Sequence, residues 1–220
     1  SHEVISSVLM DKLNTEFDGK LSLAITIFKN QYPRRFFHQL VSSQLDTDRM
    51  DYLNRGSFFT GVSEGVISFD RIIKMLHVHE DELVVESKGI YSVEKFLIAR
   101  RLMYWQVYLH KTVLSAEQML IKALFRAKEL SMSGISLFAT PALQHFLNTK
   151  IDITNFLVDP AHLKWFTRLD DTDILSALKS WVDVDDKILS TLCSKLMSRD
   201  LLRTEVRNSP YSAREIALVR

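Results

Sequence analysis

Apolar residues recur at helical spacing along most of the chain. Val4, Ile5, Val8, Leu9 and Leu13 predict a helix over residues 1–17, and Asp18-Gly19 a turn after it. A short helix follows over 21–28. It is broken at 30–34 by Tyr32-Pro33, and an apolar helical segment over 36–43 resumes the pattern. Residues 61–65 read as a loop and 68–75 as a short helix or strand. Leu76-His77-Val78 and Leu83-Val84-Val85 then flank the polar tetrapeptide 79–82, which predicts a small β-hairpin. Ser87 to Gly89 breaks the chain before its longest periodic segment, residues 91–130. As one helix that would be about 60 Å long, so a kink is expected near Ser115, where S-A-E-Q can restart a helix.

Past Gly134 the periods shorten. Thr140-Pro141 and Asp159-Pro160 each read as an N-cap followed by proline at the first helical position. Helices are expected over 141–148, 160–166, 173–182 and 186–198, with a strand over 201–206. Ser209-Pro210 turns the chain, and Ser212 with Glu215 forms a capping box for a final helix. The division expected is therefore 1–130 and 131–220, the second part a helical packing or oligomerisation subdomain.

Composition narrows the class. Hydrophobic residues at 46% and charged residues at 25% suit a globular protein, and six glycines with four prolines favour helix. A net charge of +1 gives no bulk attraction for nucleic acid. One cysteine, Cys193, excludes an intrachain disulfide or a multi-cysteine metal site and agrees with a cytoplasmic location. No apolar run reaches membrane-spanning length. The opening residues read as the middle of a motif, which suggests a chain shortened at its N-terminus.

The stretch with the strongest chemistry is Q-L-D-T-D-R-M-D-Y-L-N-R-G-S-F-F-T-G, from Gln44 to Gly61. On a helix Asp48, Tyr52 and Arg55 fall at i, i+4 and i+7, a stripe of carboxylate, phenol and guanidinium. Leu45, Met50 and Leu53 are left to meet a core. Such a stripe is either a solvated ion-paired face or a place for a metal-bound phosphate ester, with the acid on the cation and the others on the oxyanion.

L-D-x-D-R-x-D-Y-x-x-R followed by S-F-F-T-G-V resembles the last motif block of HD-domain phosphohydrolases, in particular the deoxynucleoside triphosphate triphosphohydrolase branch. The resemblance implies a mainly α fold: an HD-domain-like helical bundle with a small β-hairpin and a C-terminal helical subdomain. In that family a His, a His-Asp doublet and a distant Asp hold a divalent or transition metal. The distant Asp corresponds to Asp48, and Fe, Mn, Mg, Ni and Zn are not distinguished. The opening S-H-E-x-x-S resembles the segment after the doublet, which makes His2 a proton donor or phosphate contact; a tag remnant is the alternative. Arg49, Tyr52 and Arg55 are implied as substrate contacts.

R-x-x-x-Y-x-x-x-Y-x-H-K resembles the family's long helix, where such residues line the nucleotide pocket. Arg100 would meet phosphates, Tyr108 the base or sugar, and Lys111 ends the stripe that Tyr104 continues. Snorkelling cations over a core are the plainer account. The implied partners are a nucleotide or other phosphate ester and further copies of the chain. At Gly56 the pattern departs, since relatives commonly carry Asp there; a glycine ending a helix is the structural alternative.

Other polar clusters read as structural. His77, His79, Glu80, Asp81 and Glu82 suit a solvated hairpin tip, Asp170 to Asp173 a helix start, and His38 a packed histidine beside two phenylalanines. Two competing functions stay open at this point, a catalytically inactive HD-like regulatory or assembly module and a plain helical interaction domain.

Overall fold

The computed structural model describes residues 2–207 and 209–218, with the side chains of residues 2 and 218 outside that description. Among the described residues there are thirteen α-helices and one two-stranded antiparallel sheet. The mainly α, HD-like fold with a small hairpin is the fold observed. Packing divides the chain into two compact units, Ser1–Tyr108 and Leu109–Arg220. The expected boundary at residue 130 differs from this division, because the long helix of residues 111–132 goes whole with the second unit.

In the N-terminal unit α1 (His2–Glu16) ends at a turn where Asp18 and Gly19 both take positive φ, 52° and 81°. α2 (Ser22–Phe28) and α3 (Arg35–Val41) follow, and then α4 (Thr47–Thr60) and the short α5 (Phe69–Lys74). α4 supplies the core of this unit. Met50 and Leu53 are buried with Ile67, Ile72, Phe96, Ala99 and Met103, while Leu45 and Tyr52 pack at the edge. Helical periodicity thus sends the apolar positions inward and leaves Asp48 and Arg55 outside. Gly56 does not end this helix. It lies inside it, and the terminator is Gly61 at φ 71°, the left-handed position that favours glycine.

β1 (Leu76–His79) and β2 (Glu82–Val85) pair with Leu76 opposite Val85 and His79 opposite Glu82. Their two-residue turn, Glu80-Asp81, has both φ positive, 49° and 65°, as a tight hairpin of native twist requires. The tip holds a helix in place. Asp81 accepts from the Arg35 amide at 2.8 Å, capping α3, whose own N-cap residue Arg34 makes no such bond. Gln39 of α3 also accepts from the Leu83 amide at 2.7 Å.

The predicted 91–130 helix is two helices. α6 (Ile90–Met103) widens into a π-helical turn, Tyr104–Tyr108, and α7 (Lys111–Met132) starts afresh at His110, whose ring caps the Thr112 amide at 3.3 Å. The break is not at Ser115, which is buried within α7 and donates to the Leu202 carbonyl at 2.6 Å. The apolar band read through it is accordingly divided, Met103 and Val107 in one core and Leu120 in the other.

In the C-terminal unit α7 packs with α8 (Pro141–Asn148), α11 (Asp171–Trp181) and α12 (Lys187–Ser198) around buried Trp181, Leu189 and Cys193. Trp181 satisfies its indole by donating to the Phe138 carbonyl at 2.9 Å. α9 (Ile153–Val158), α10 (Pro160–Phe166) and α13 (Ala213–Leu218) complete the unit. α9 is not anticipated by its β-branched sequence; Asp152 starts it by accepting from the Asn155 amide at 2.8 Å. The strand expected over 201–206 is absent, because no second strand pairs with it; side chains hold the segment instead, as Tyr211 does by donating to the Glu205 carbonyl at 2.8 Å. Asp170 and Asp173 form a capping box and not a metal site. None of the described helices is long and apolar enough to cross a membrane.

Candidate active-site cleft

A cleft of about 1120 Å³ opens in the N-terminal unit. α1 contributes Glu3 and Ser6, the end of α2 contributes Lys29, α3 contributes His38, α4 contributes Asp48, Arg49 and Tyr52, and α6 with its π-helical turn contributes Arg100 and Tyr104. The structure thus brings together four residues singled out from sequence, Asp48, Arg49, Tyr52 and Arg100. The His2 side chain lies outside the described residues.

Two aspartates at the start of α4 have opposite fates. Asp46 is only 2% exposed and caps the helix, accepting from the Arg49 amide at 2.7 Å and the Ser43 amide at 3.0 Å. The Arg49 guanidinium folds back onto the same carboxylate and onto the Ser43 carbonyl. Arg49 is thereby half-buried and fixed, a cation largely neutralised before any ligand arrives. Asp51, one turn on, is paired with Arg55 at 3.2 Å. Asp48 stands between them, exposed on the cleft and with no ion-pair partner among the described residues. Arg55 therefore turns to Asp51, and the stripe of Asp48, Tyr52 and Arg55 does not act as one group.

Arg100 is half-buried, donates to the Gln44 side chain at 3.2 Å and lies over the Tyr104 ring at 5.9 Å from its centroid. It has no carboxylate partner among the described residues, so its charge is available to an anion. Tyr108 packs edge-on to Tyr104 and Tyr52, at 5.2 and 6.3 Å between centroids. Burial pushes its phenol pKa up, the Tyr52 and Tyr104 phenols add to this, and Arg55 opposes it. Its hydroxyl lies 3.1 Å from where a Cβ on residue 56 would sit. Gly56 is what allows that close approach of ring to helix. Lys111 belongs to the C-terminal unit, as the first residue of α7.

Four contributors escape the sequence reading: Lys29, Asp46, Gln44 and His38. Asp46 carries a readable signal, an Asp directly before a helix and three residues ahead of the amide it caps. His38, read as a packed histidine, is half-buried and lines the cleft. Gln44 has no sequence signal.

Among the described residues no group of three or more His, Cys, Asp or Glu is placed to hold a metal ion. Asp48 and Glu3 are the cleft carboxylates without an ion-pair partner among the described residues, and of the two Asp48 is the one held on the same helix as Arg49 and Tyr52; it fits one share of a divalent-metal site and no more.

Comparison with known proteins agrees with this architecture. Residues 67–150 match the family described as HD associated region. The crystal structure of a phosphohydrolase from Bacteroides thetaiotaomicron superposes with a TM-score of 0.96 at 56% identity, covering 98% of this chain and 54% of that one. YwfO of Bacillus subtilis, an uncharacterized protein, is 36% identical over 177 residues, 80% of this chain and 39% of its own. A Dictyostelium discoideum homologue of the deoxynucleoside triphosphate triphosphohydrolase SAMHD1 is 31% identical over 99 residues, 44% of this chain and 19% of that protein. The fold and these relatives define a helical phosphohydrolase class. The chain belongs to the HD superfamily of phosphohydrolases. It spans about half the length of the matched structure and less than half of the matched sequences.

Proposed function

We propose that the cleft is one wall of the catalytic site of a metal-dependent phosphohydrolase acting on a nucleotide, of the deoxynucleoside triphosphate type, or on another phosphate ester. The observation that carries this reading is the unpaired state of Asp48. Its neighbours Asp46 and Asp51 are each neutralised by an arginine, whereas Asp48 faces the cleft that Arg100 also lines. An acid left unpaired on a cleft that also holds one available cation, Arg100, is placed for a ligand more than for stability.

In this reading Asp48 is one oxygen ligand of a divalent metal, and the others come from protein outside this chain. The metal, when bound, polarises phosphoryl oxygens and acidifies a bound water. The chain's own part is electrostatic. Arg100 neutralises phosphate oxygens, held in aim by Gln44 and Tyr104. Arg49, already bound to Asp46, stiffens the loop entering α4 and so fixes the direction of Asp48 two residues after its cap. Tyr52 supplies a flat face for a sugar or base, with Tyr108 packed edge-on behind it and outside the cleft lining. The activity named for the Dictyostelium relative supports the nucleotide class, though across only 44% of this chain.

The test is metal analysis of the full-length protein together with a hydrolysis panel of nucleotides and simple phosphate esters, with Asp48→Ala as control. Loss of bound metal and at least a hundredfold loss of turnover in Asp48→Ala is the expected result. Unchanged metal content and turnover would remove Asp48 from the site, and a full-length protein with neither metal nor turnover would favour an inactive regulatory module.

A further inference from the structure

His38 sits on α3 and lines the same cleft, half-buried. Its Nδ1 lies 3.0 Å from the Ile27 carbonyl oxygen. A carbonyl only accepts, so the proton of the neutral ring sits on Nδ1 and the ring is held in one orientation. Nε2 has no partner among the described residues, and no buried side-chain nitrogen there lacks one, so Nε2 is open to solvent.

A histidine that only packs looks different in this molecule. His162 is buried, its Nδ1 is 2.7 Å from His145, and its Nε2 faces Asp159 at 3.8 Å. Both nitrogens there are directed at protein groups. His38 is anchored through one nitrogen and open through the other, the arrangement of a side chain aimed at a ligand.

The charges around the cleft decide which ligand. α1 brings Glu3, the end of α2 brings Lys29, α4 brings Asp46, Asp48 and Arg49, and α6 brings Arg100. Lys29 is paired with Asp11 at 2.9 Å and Arg49 with Asp46. Arg100 remains available for an anion, and a protonated His38 would be a second donor to it.

We propose that His38 is a substrate-contacting residue for the phosphate chain: as an imidazolium it donates from Nε2–H to a phosphate oxygen while Nδ1–H stays on the Ile27 carbonyl. This rests on the reading of the cleft as a phosphate-ester site. The added proton comes from solvent, and no bond of the substrate is made or broken by it.

The experiment is calorimetric titration of the chain with inorganic tripolyphosphate, for the unaltered sequence and for His38→Phe, His38→Gln and Arg100→Ala. Long-range proton–nitrogen NMR of the His38 ring is recorded in the unaltered chain. A charge-assisted hydrogen bond predicts about tenfold weaker binding in His38→Phe. His38→Gln, which keeps a donor, recovers most of that loss. The ring spectrum changes from a single proton on Nδ1 to protons on both nitrogens as tripolyphosphate is added. Should Arg100→Ala weaken binding while His38→Phe and the ring spectrum stay unchanged, the role given to His38 fails and the cleft reading survives. Should tripolyphosphate not bind, or bind regardless of Arg100, both fail. If His38→Phe does not fold by circular dichroism, the ring spectrum and His38→Gln decide the matter.

Discussion

The two units use their acidic residues in contrasting ways. In the C-terminal unit aspartates begin helices: Asp152, Asp159, Asp170 and Asp186 each accept from amides of the first turn. Asp186 is also held by the Arg126 guanidinium at 2.6 Å, and Asp173 closes the box on Asp170. The N-terminal unit caps α4 in the same manner with Asp46 and then leaves Asp48 unsatisfied on a cleft. Exposed acids without a partner also occur elsewhere, as at Asp183 and Asp185 of the second unit; what sets Asp48 apart is that it stands on a cleft beside Arg100, two residues after an acid that does cap the helix.

The comparison can be pressed hardest through the core that the C-terminal unit is built on. Trp181 is fully buried and hydrogen-bonded through its indole, so Trp181→Ala should cost about 3–5 kcal/mol in urea denaturation. A loss under about 1 kcal/mol would mean that this unit is not organised around it. Next come the two aspartates of α4. Asp46→Ala removes a cap and strands Arg49, for a cost of about 2 kcal/mol. Asp48→Ala should change stability by no more than about 0.5 kcal/mol. Equal costs at the two positions would erase the distinction between structural and ligand-directed acid.

The smallest effect concerns pH. The Arg126 guanidinium holds the Asp186 carboxyl below its usual range, helped by the Leu189 amide; the Thr140 hydroxyl and the Asp170 amide do the same for Asp173. Both folded values lie below the unfolded ones. The stability they contribute is therefore full above about pH 4 and lost as pH falls through the lowered folded values. Urea midpoints measured downward from pH 5 should fall more gently in Asp186→Asn than in the unaltered chain; parallel curves would contradict this.

Much of the fold is legible because its signals are local. The spacing of Met50 and Leu53 gives the buried side of α4, and Thr140-Pro141 and Asp159-Pro160 give two helix starts to the residue. The hairpin is readable from its alternating strands even though its turn is Glu-Asp, without the usual Asn or Gly. The π-helical turn is not readable, since Met103 and Val107 continue the same apolar period that Leu114 and Leu120 resume. Periodicity reports which side of a helix is apolar, but not where the helix changes its hydrogen-bonding register. At the cleft, Asp48, Tyr52 and Arg100 come from motif spacing. His38 and Gln44 do not, because their neighbours, Ile27 and Arg100, are distant in sequence. Spacing alone sets Arg55 in one stripe with Asp48, whereas Asp51 at i−4 offers the nearer ion pair.

The wide turn at Tyr104–Tyr108 also sets a length constraint on the chain. Each α-helical residue advances the side-chain bearing by about 100°, so losing one residue from this stretch, with the helix closing up behind it, would turn the Tyr108 ring away from the bare backbone of Gly56. The seam should therefore tolerate exchange of its side chains far more readily than any shortening.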